Sequence, residues 1–232
     1  MSVGIIIPLK AKIVADNWQL TSQLLENTLF SLKNQTSQSF KVVVVGHDIP
    51  ELSEETAQLI TFSQCSFELR RVNHSGEITH YTQIDRILDK YRKIGQGLRL
   101  LKKYNCEYYI VLDADDLLHK DLIKYVLQNG DQNGYILHKG YEYYPRLGKV
   151  VYRENMADIC GSTTVIHKQH VPVPESVDDS ELRAIPWCFL SHSHMENYFS
   201  ERSKPLADVP FPGLLYTLGH GQNASDVFRK GI

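Results

Sequence analysis

Concentrated positive charge, paired cysteines and a long apolar run are all missing from this chain. Net charge is −2 with both signs scattered, so the broad basic footprint that duplex nucleic acid requires is absent, and nucleic acid is excluded as an expected partner. Cys65, Cys106, Cys160 and Cys188 are far apart and form no C-x-x-C, which argues against a zinc knuckle or a redox pair and favours reduced thiols. The N-terminus is apolar only from Val3 to Ile7 before Pro8 and lysines, too short for a signal-peptide core or a membrane span. A cytoplasmic chain is expected, with peripheral membrane contact left open. Asn-x-Ser/Thr triplets at Asn34, Asn73 and Asn223 carry little meaning without secretion. No repeat or low-complexity tract interrupts the chain.

What is present suits one domain. The 232 residues, 42% hydrophobic and 22% charged, can bury a full α/β core. "VGIII" and "FKVVVV" read as continuous strands covered on both faces, with a helix between them carrying Leu20, Leu24, Leu25, Leu29 and Leu32. A helix over 81–104 places Ile84, Ile87, Leu88, Tyr91, Ile94, Leu98 and Leu101 on one face; Gly95 and Gly97 each weaken it by roughly 1 kcal/mol, and predict a break near "KIGQG". "YYIVL" then leads into "DADD". After Asp116, "LLHKDLIKYVLQNG" predicts a helix closed by Gly130. Beyond it come short, partly antiparallel strands ("YILHKGYEYY", "KVVYRE", "STTVIHK"), a Pro-rich acidic connection, a helix in "LSHSHMENYFSER" and a loop-rich tail from Lys204.

Open parallel sheets bind ligands beyond the carboxyl ends of their strands. Asp48 and the cluster Asp113, Asp115 and Asp116 therefore open on one rim. Asp113 and Asp115 are two apart, so on an extended segment they point the same way, and a divalent cation with a phosphate or polyhydroxyl ligand relieves their repulsion. Asp116 is expected to cap the following helix. One cap leaves two carboxylates for a ligand.

The succession "IIIPLKAK", "TLFSLKNQT", "FKVVVVGHD", "GQGLRLLKKYNCEYYIVLDADD" resembles the N-terminal half of family 2-like glycosyltransferases of the GT-A fold, over roughly residues 3–122. That resemblance implies a single GT-A domain over 1–232: a Rossmann-like, mostly parallel nucleotide-sugar-binding half (1–130) and a small antiparallel acceptor-side half (131–232). It implies that Pro8 and the residues after it line the base pocket, that Asp48 contacts the base or ribose, and that Asp113 binds ribose. Asp115 would hold Mn²⁺ or Mg²⁺ on the diphosphate, with Arg92 and Lys93 bringing positive charge to the nucleotide. The Gly46-His47-Asp48 ending departs from the family's usual Asp-Asp-Gly-Ser type.

The acceptor side resembles the family less closely. The family's acidic base has its nearest match in Glu196, with Asp178 and Asp179 as competitors on an acidic loop. His194 could orient that base or replace it. The late metal-binding His is matched by His220, between Gly219 and Gly221, which let the backbone bring an imidazole close.

The implied reaction moves a sugar from a UDP-sugar or similar donor to a hydroxyl of a glycan or lipid-linked saccharide, with inversion by analogy, in the manner of a hexosyltransferase of polysaccharide biosynthesis. Two other reaction classes stand beside it. A sugar-phosphate nucleotidylyltransferase needs a Gly-rich phosphate loop after the first strand, and "PLKAKIVADNW" has no glycine. A metal-dependent phosphoester hydrolase would pair His192 and His194 with the Asp cluster. A non-catalytic module that has lost its base is the remaining alternative.

Overall fold

The computed structural model describes residues 1–69 and 81–221; Asn73 and Asn223 lie outside them. Strand β1 (Val3–Pro8) is buried along nearly its whole length. Asn17 caps helix α1 (Trp18–Lys33) by accepting from the Leu20 N–H at 2.9 Å. Strand β2 (Phe40–Gly46), the single turn α2 (Glu54–Ala57) and strand β3 (Ile60–Gln64) follow. Helix α3 (Gln83–Leu101) opens with a capping box between Thr82 and Asp85, and β4 (Tyr108–Val111) leads to the acidic turn.

The predicted break in α3 does not occur. Gly95 and Gly97 lie inside a continuous helix because they let it approach its neighbours: a Cβ on Gly97 would stand 2.5 Å from Ile6 Cγ2, and one on Gly95 2.4 Å from Leu182 Cδ2. Packing outweighs propensity here. The predicted apolar face also divides, for Ile94, Leu98 and Leu101 are buried while Ile84 and Ile87 are exposed. The first turns of α3 border a cavity in place of the core.

The second half begins with β5 (Leu117–Leu118), directly after Asp116, and the eight-residue α4 (Leu122–Asn129) is capped by Gly130 at φ +62°. Asp116 is thus not a helix cap, since a strand intervenes before the helix. Strands β6 (Gly134–Ile136), β7 (Gly140–Tyr144) and β8 (Lys149–Arg153) precede the turn α5 (Met156–Ile159) and strand β9 (Thr164–His167). The turns α6 (Asp179–Leu182) and α7 (Pro186–Phe189), helix α8 (Met195–Glu201), β10 (Ala207–Asp208) and β11 (Leu214–Thr217) complete the described chain. The tail expected to be loop-rich therefore holds two short strands.

These strands form a seven-stranded sheet, ordered β10-β6-β9-β4-β1-β2-β3, and a four-stranded sheet, β5-β11-β7-β8. All neighbours in the large sheet run parallel except β9, which is antiparallel to both β4 and β6. The small sheet is mixed, with β11 parallel to β7 and the other two pairings antiparallel. Successive side chains of the central strands alternate between two apolar clusters: Ile5 and Ile7 pack with Leu25 and Leu29 of α1, and Ile6 packs with Ile94 and Leu98 of α3. The four cysteines remain unpaired. Among the described residues no helix is long and apolar enough to cross a membrane.

Candidate active site

The carboxyl ends of β1 and β4 open into a cavity of about 460 Å³. Pro8, Lys93, Asp113 and Asp115 line it, so four of the sequence-predicted residues meet where the parallel sheet ends. The turn bearing the aspartates closes through the Asp116 N–H and the Asp113 carbonyl, at 3.2 Å. It is fixed by Ser162, whose Oγ accepts from the Asp113 N–H at 3.0 Å and donates to Asp116 Oδ2 at 2.6 Å. Cys160 Sγ also faces Asp116 Oδ2, at 3.2 Å. Asp116 has no exposed surface. Burial, and then repulsion from Asp115 and Asp113, push its carboxyl well above the usual range, and its Oδ2 accepts from the same Ser162 hydroxyl that fixes the Asp113 N–H.

Asp115 Oδ2 lies 3.1 Å from Nε2 of His220. The imidazole reaches it because Gly219 and Gly221, at φ +71° and +82°, bend the chain past β11 in the left-handed region. Two residues 105 positions apart in sequence therefore meet, although His220 is 4% exposed and, unlike Asp115, is not among the residues lining the cavity. Among the described residues no cage of three His, Cys, Asp or Glu side chains occurs. A carboxylate and an imidazole with nothing further suit a cation that completes its shell with phosphate and water, and not a closed structural zinc site.

The cations facing the cavity differ from those expected. Lys90 Nζ donates to Asp113 Oδ1 at 2.5 Å, and although burial opposes its charge, the Asp113 carboxylate holds the ammonium above the usual lysine value. Arg86 and Lys10 also line the cavity. Arg92 does not: its guanidinium lies 3.7 Å from Asp179 Oδ1 and over the Phe67 ring. Lys93 borders the cavity but is 1% exposed, bonded to the Leu9 carbonyl at 2.8 Å and paired with Asp89. Asp89 also accepts from His47 Nε2 at 2.7 Å. Burial opposes the Asp89 charge, but His47 and Lys93 hold its pKa below the usual range. Spacing carried the signal for Arg86 and Lys90: residues 86, 90 and 93 share one helical face, and 92 lies on another.

Asp48 is not among the residues lining the cavity; its Oδ2 accepts from the Lys12 N–H at 2.7 Å and pins the loop after β1. The three proposed acceptor-side acids also lie outside the cavity lining. Glu196 is exposed and meets His138 Nε2 at 3.1 Å, while Asp208 meets Nδ1 of the same ring at 3.2 Å. Asp178 opens α6 and accepts from Ser176, and Asp179 faces Arg92. Each engages a local partner that sequence alone does not reveal. His192 does line the cavity, whereas His194 does not, so the His-x-His pair is divided.

No protein-family model matches the chain, and no curated protein matches it. Among solved structures, residues 1–349 of S. aureus TarS align with a TM-score of 0.51 at 12% identity, over 94% of this chain and 60% of that one. The same fragment in complex with UDP-GlcNAc aligns with a TM-score of 0.49 at 14% identity, over 95% and 60%. A putative glucose-1-phosphate thymidylyltransferase from Bacillus anthracis, in complex with a sucrose, gives 0.43 at 10% identity, over 100% and 96%. The first likeness shows the fold, a mixed α/β architecture of GT-A type. The chain spans about 60% of that TarS fragment.

Proposed function

We propose that this chain is a divalent-cation-dependent glycosyltransferase that takes a UDP-sugar and passes the sugar, with inversion, to a hydroxyl of a saccharide acceptor. The reading is carried by Asp115, which lines the cavity together with Lys10, Arg86 and Lys90 and meets the buried imidazole of His220 at 3.1 Å. Asp115 and His220 would hold Mn²⁺ or Mg²⁺, which when bound neutralises the charge developing on the leaving diphosphate. Lys90, Arg86 and Lys10 would meet the same anion from the other side, and Asp113, oriented by Lys90, would receive the ribose hydroxyls. Pro8 would bound the base.

Nucleotidyl transfer is the less supported reading, because the loop from Leu9 to Asn17 contains no glycine to cradle phosphates. A phosphoester hydrolase built on both histidines is disfavoured because only His192 borders the cavity. The test is thermal unfolding of the full chain with UDP, UDP-glucose or UDP-N-acetylglucosamine, with and without Mn²⁺. Ligand at a hundred times its Kd stabilises by about 2.7 kcal/mol. A Mn²⁺-dependent rise in Tm with at least one of them is expected, and identical curves in every combination at millimolar ligand would overturn the proposal.

A further inference from the structure

We propose that His192, and none of the acidic residues, is the base that takes the proton from the acceptor hydroxyl; this rests on the transferase reading above. The cavity lining itself narrows the choice. Lys10, Arg86 and Lys90 are assigned above to the diphosphate. Asp89 holds both His47 and Lys93, while Asp113 and Asp115, besides pairing with Lys90 and His220, are assigned above to the ribose and the cation. His192 is the lining residue whose bonding leaves a basic nitrogen.

Its tautomer follows from its partner. His192 Nε2 lies 3.1 Å from the Asp158 carbonyl oxygen. A carbonyl only accepts, so Nε2 carries the hydrogen, and in the neutral ring the lone pair resides on Nδ1. The 3-10 turn His192–His194 packs directly on α5, which supplies that carbonyl, so the ring is held by a neighbour that is itself part of the cavity wall. Burial, followed by the nearby Lys90 ammonium, keeps the imidazole pKa below its ordinary value against the raising influence of the Asp158 carbonyl, Asp113 and Asp158. The ring is consequently neutral at pH 7 and able to accept.

In the step so assigned, the acceptor oxygen forms a bond to the anomeric carbon as the bond from that carbon to the diphosphate oxygen breaks. The electron pair leaves with the nucleoside diphosphate, and the hydroxyl proton moves to His192 Nδ1. No outside oxidant or reductant is required. With water as the acceptor the same base serves, and the products are free sugar and UDP.

UDP release from UDP-N-acetylglucosamine, UDP-glucose and UDP-galactose, with Mn²⁺ and water as acceptor, measures the step without knowledge of the natural acceptor. Two variants separate roles. His192→Ala removes base and hydrogen bond together, while His192→Gln keeps an N–H able to reach the Asp158 carbonyl but supplies no base. Both should bind UDP as the wild type does, turn over about 10²- to 10⁴-fold more slowly, and lose the acid limb of the pH–rate profile, which in the wild type lies below the ordinary histidine range. Added imidazole should restore part of the His192→Ala rate. Wild-type rates in His192→Gln, or slow variants that retain the acid limb, would overturn the role of His192 alone. A wild-type chain that neither binds UDP nor releases it from any of the three donors would overturn the transferase reading and this inference with it.

Discussion

Lys90 and Asp113 meet at 2.5 Å, and this contact joins helix α3 to the acidic turn after β4. The helix therefore contributes its charge to the site through its first half, before the sequence at which it becomes core.

That geometry separates two cations only two residues apart. Lys90→Ala should weaken UDP binding by about 10- to 100-fold, since a hydrogen bond to a charged group contributes roughly 1.5–3 kcal/mol. Arg92→Ala should change UDP affinity less than threefold, because its guanidinium is occupied by Asp179 and the Phe67 ring. Calorimetric titration of UDP into each variant compares them, and equal losses would contradict the assignment.

Asp115→Asn should abolish the Mn²⁺-dependent part of UDP affinity while leaving Tm in the absence of ligand nearly unchanged, because the carboxylate is partly exposed and its neighbours stay in place. His220→Ala should weaken metal affinity by about 10- to 100-fold. Titration of Mn²⁺ in the presence of fixed UDP reports both, and curves overlaying the wild type would remove these residues from the metal site.

The two helical glycines should respond unequally to alanine. At Gly97 the new methyl meets Ile6 Cγ2 at 2.5 Å, on a β-branched side chain in the central strand, and overpacking of about 1–3 kcal/mol exceeds the roughly 1 kcal/mol gained in helix propensity. At Gly95 the obstacle is the end of the Leu182 side chain, which can rotate away. Urea denaturation should show Gly97→Ala destabilised and Gly95→Ala near neutral.

Asp89→Asn should cost about 3–5 kcal/mol at pH 7, since it leaves the Lys93 ammonium buried beside an uncharged partner. The native pKa of Asp89 is lowered, so its contribution is full above the unfolded value and disappears as pH falls through the native one. The gap between variant and wild type should accordingly narrow below about pH 4. Denaturant midpoints at several pH values test this, and a gap independent of pH would mean that the ion pair is not its source.

Much of the fold could be read from the chain because the central strands are β-branched and uninterrupted, which leaves them little alternative to a doubly covered sheet. The position of Asp113 and Asp115 at the cavity and the approach of His220 to Asp115 follow from local signals: carboxylates that end a strand, and glycines that free a backbone. The acceptor side could not be read in this way. Glu196, Asp178 and Asp179 are acidic and close to predicted helix starts, but whether a side chain reaches the cavity depends on partners such as His138 and Arg92, which approach from distant sequence. Asp116 was misread for a similar reason, since Ser162 and Cys160, which bury it, lie more than forty residues downstream.

The reversed strand β9 bears on how the chain can be divided. It pairs along β4 and in turn carries β6 and β10, so three strands from beyond residue 130 complete the sheet begun by the first half. A fragment ending near residue 130 would expose the edge of β4, whose residues Tyr108 to Val111 are all buried in the intact chain, and an uncovered apolar edge recruits other chains. Such a fragment should precipitate when produced alone and become soluble when the remaining residues are supplied in trans.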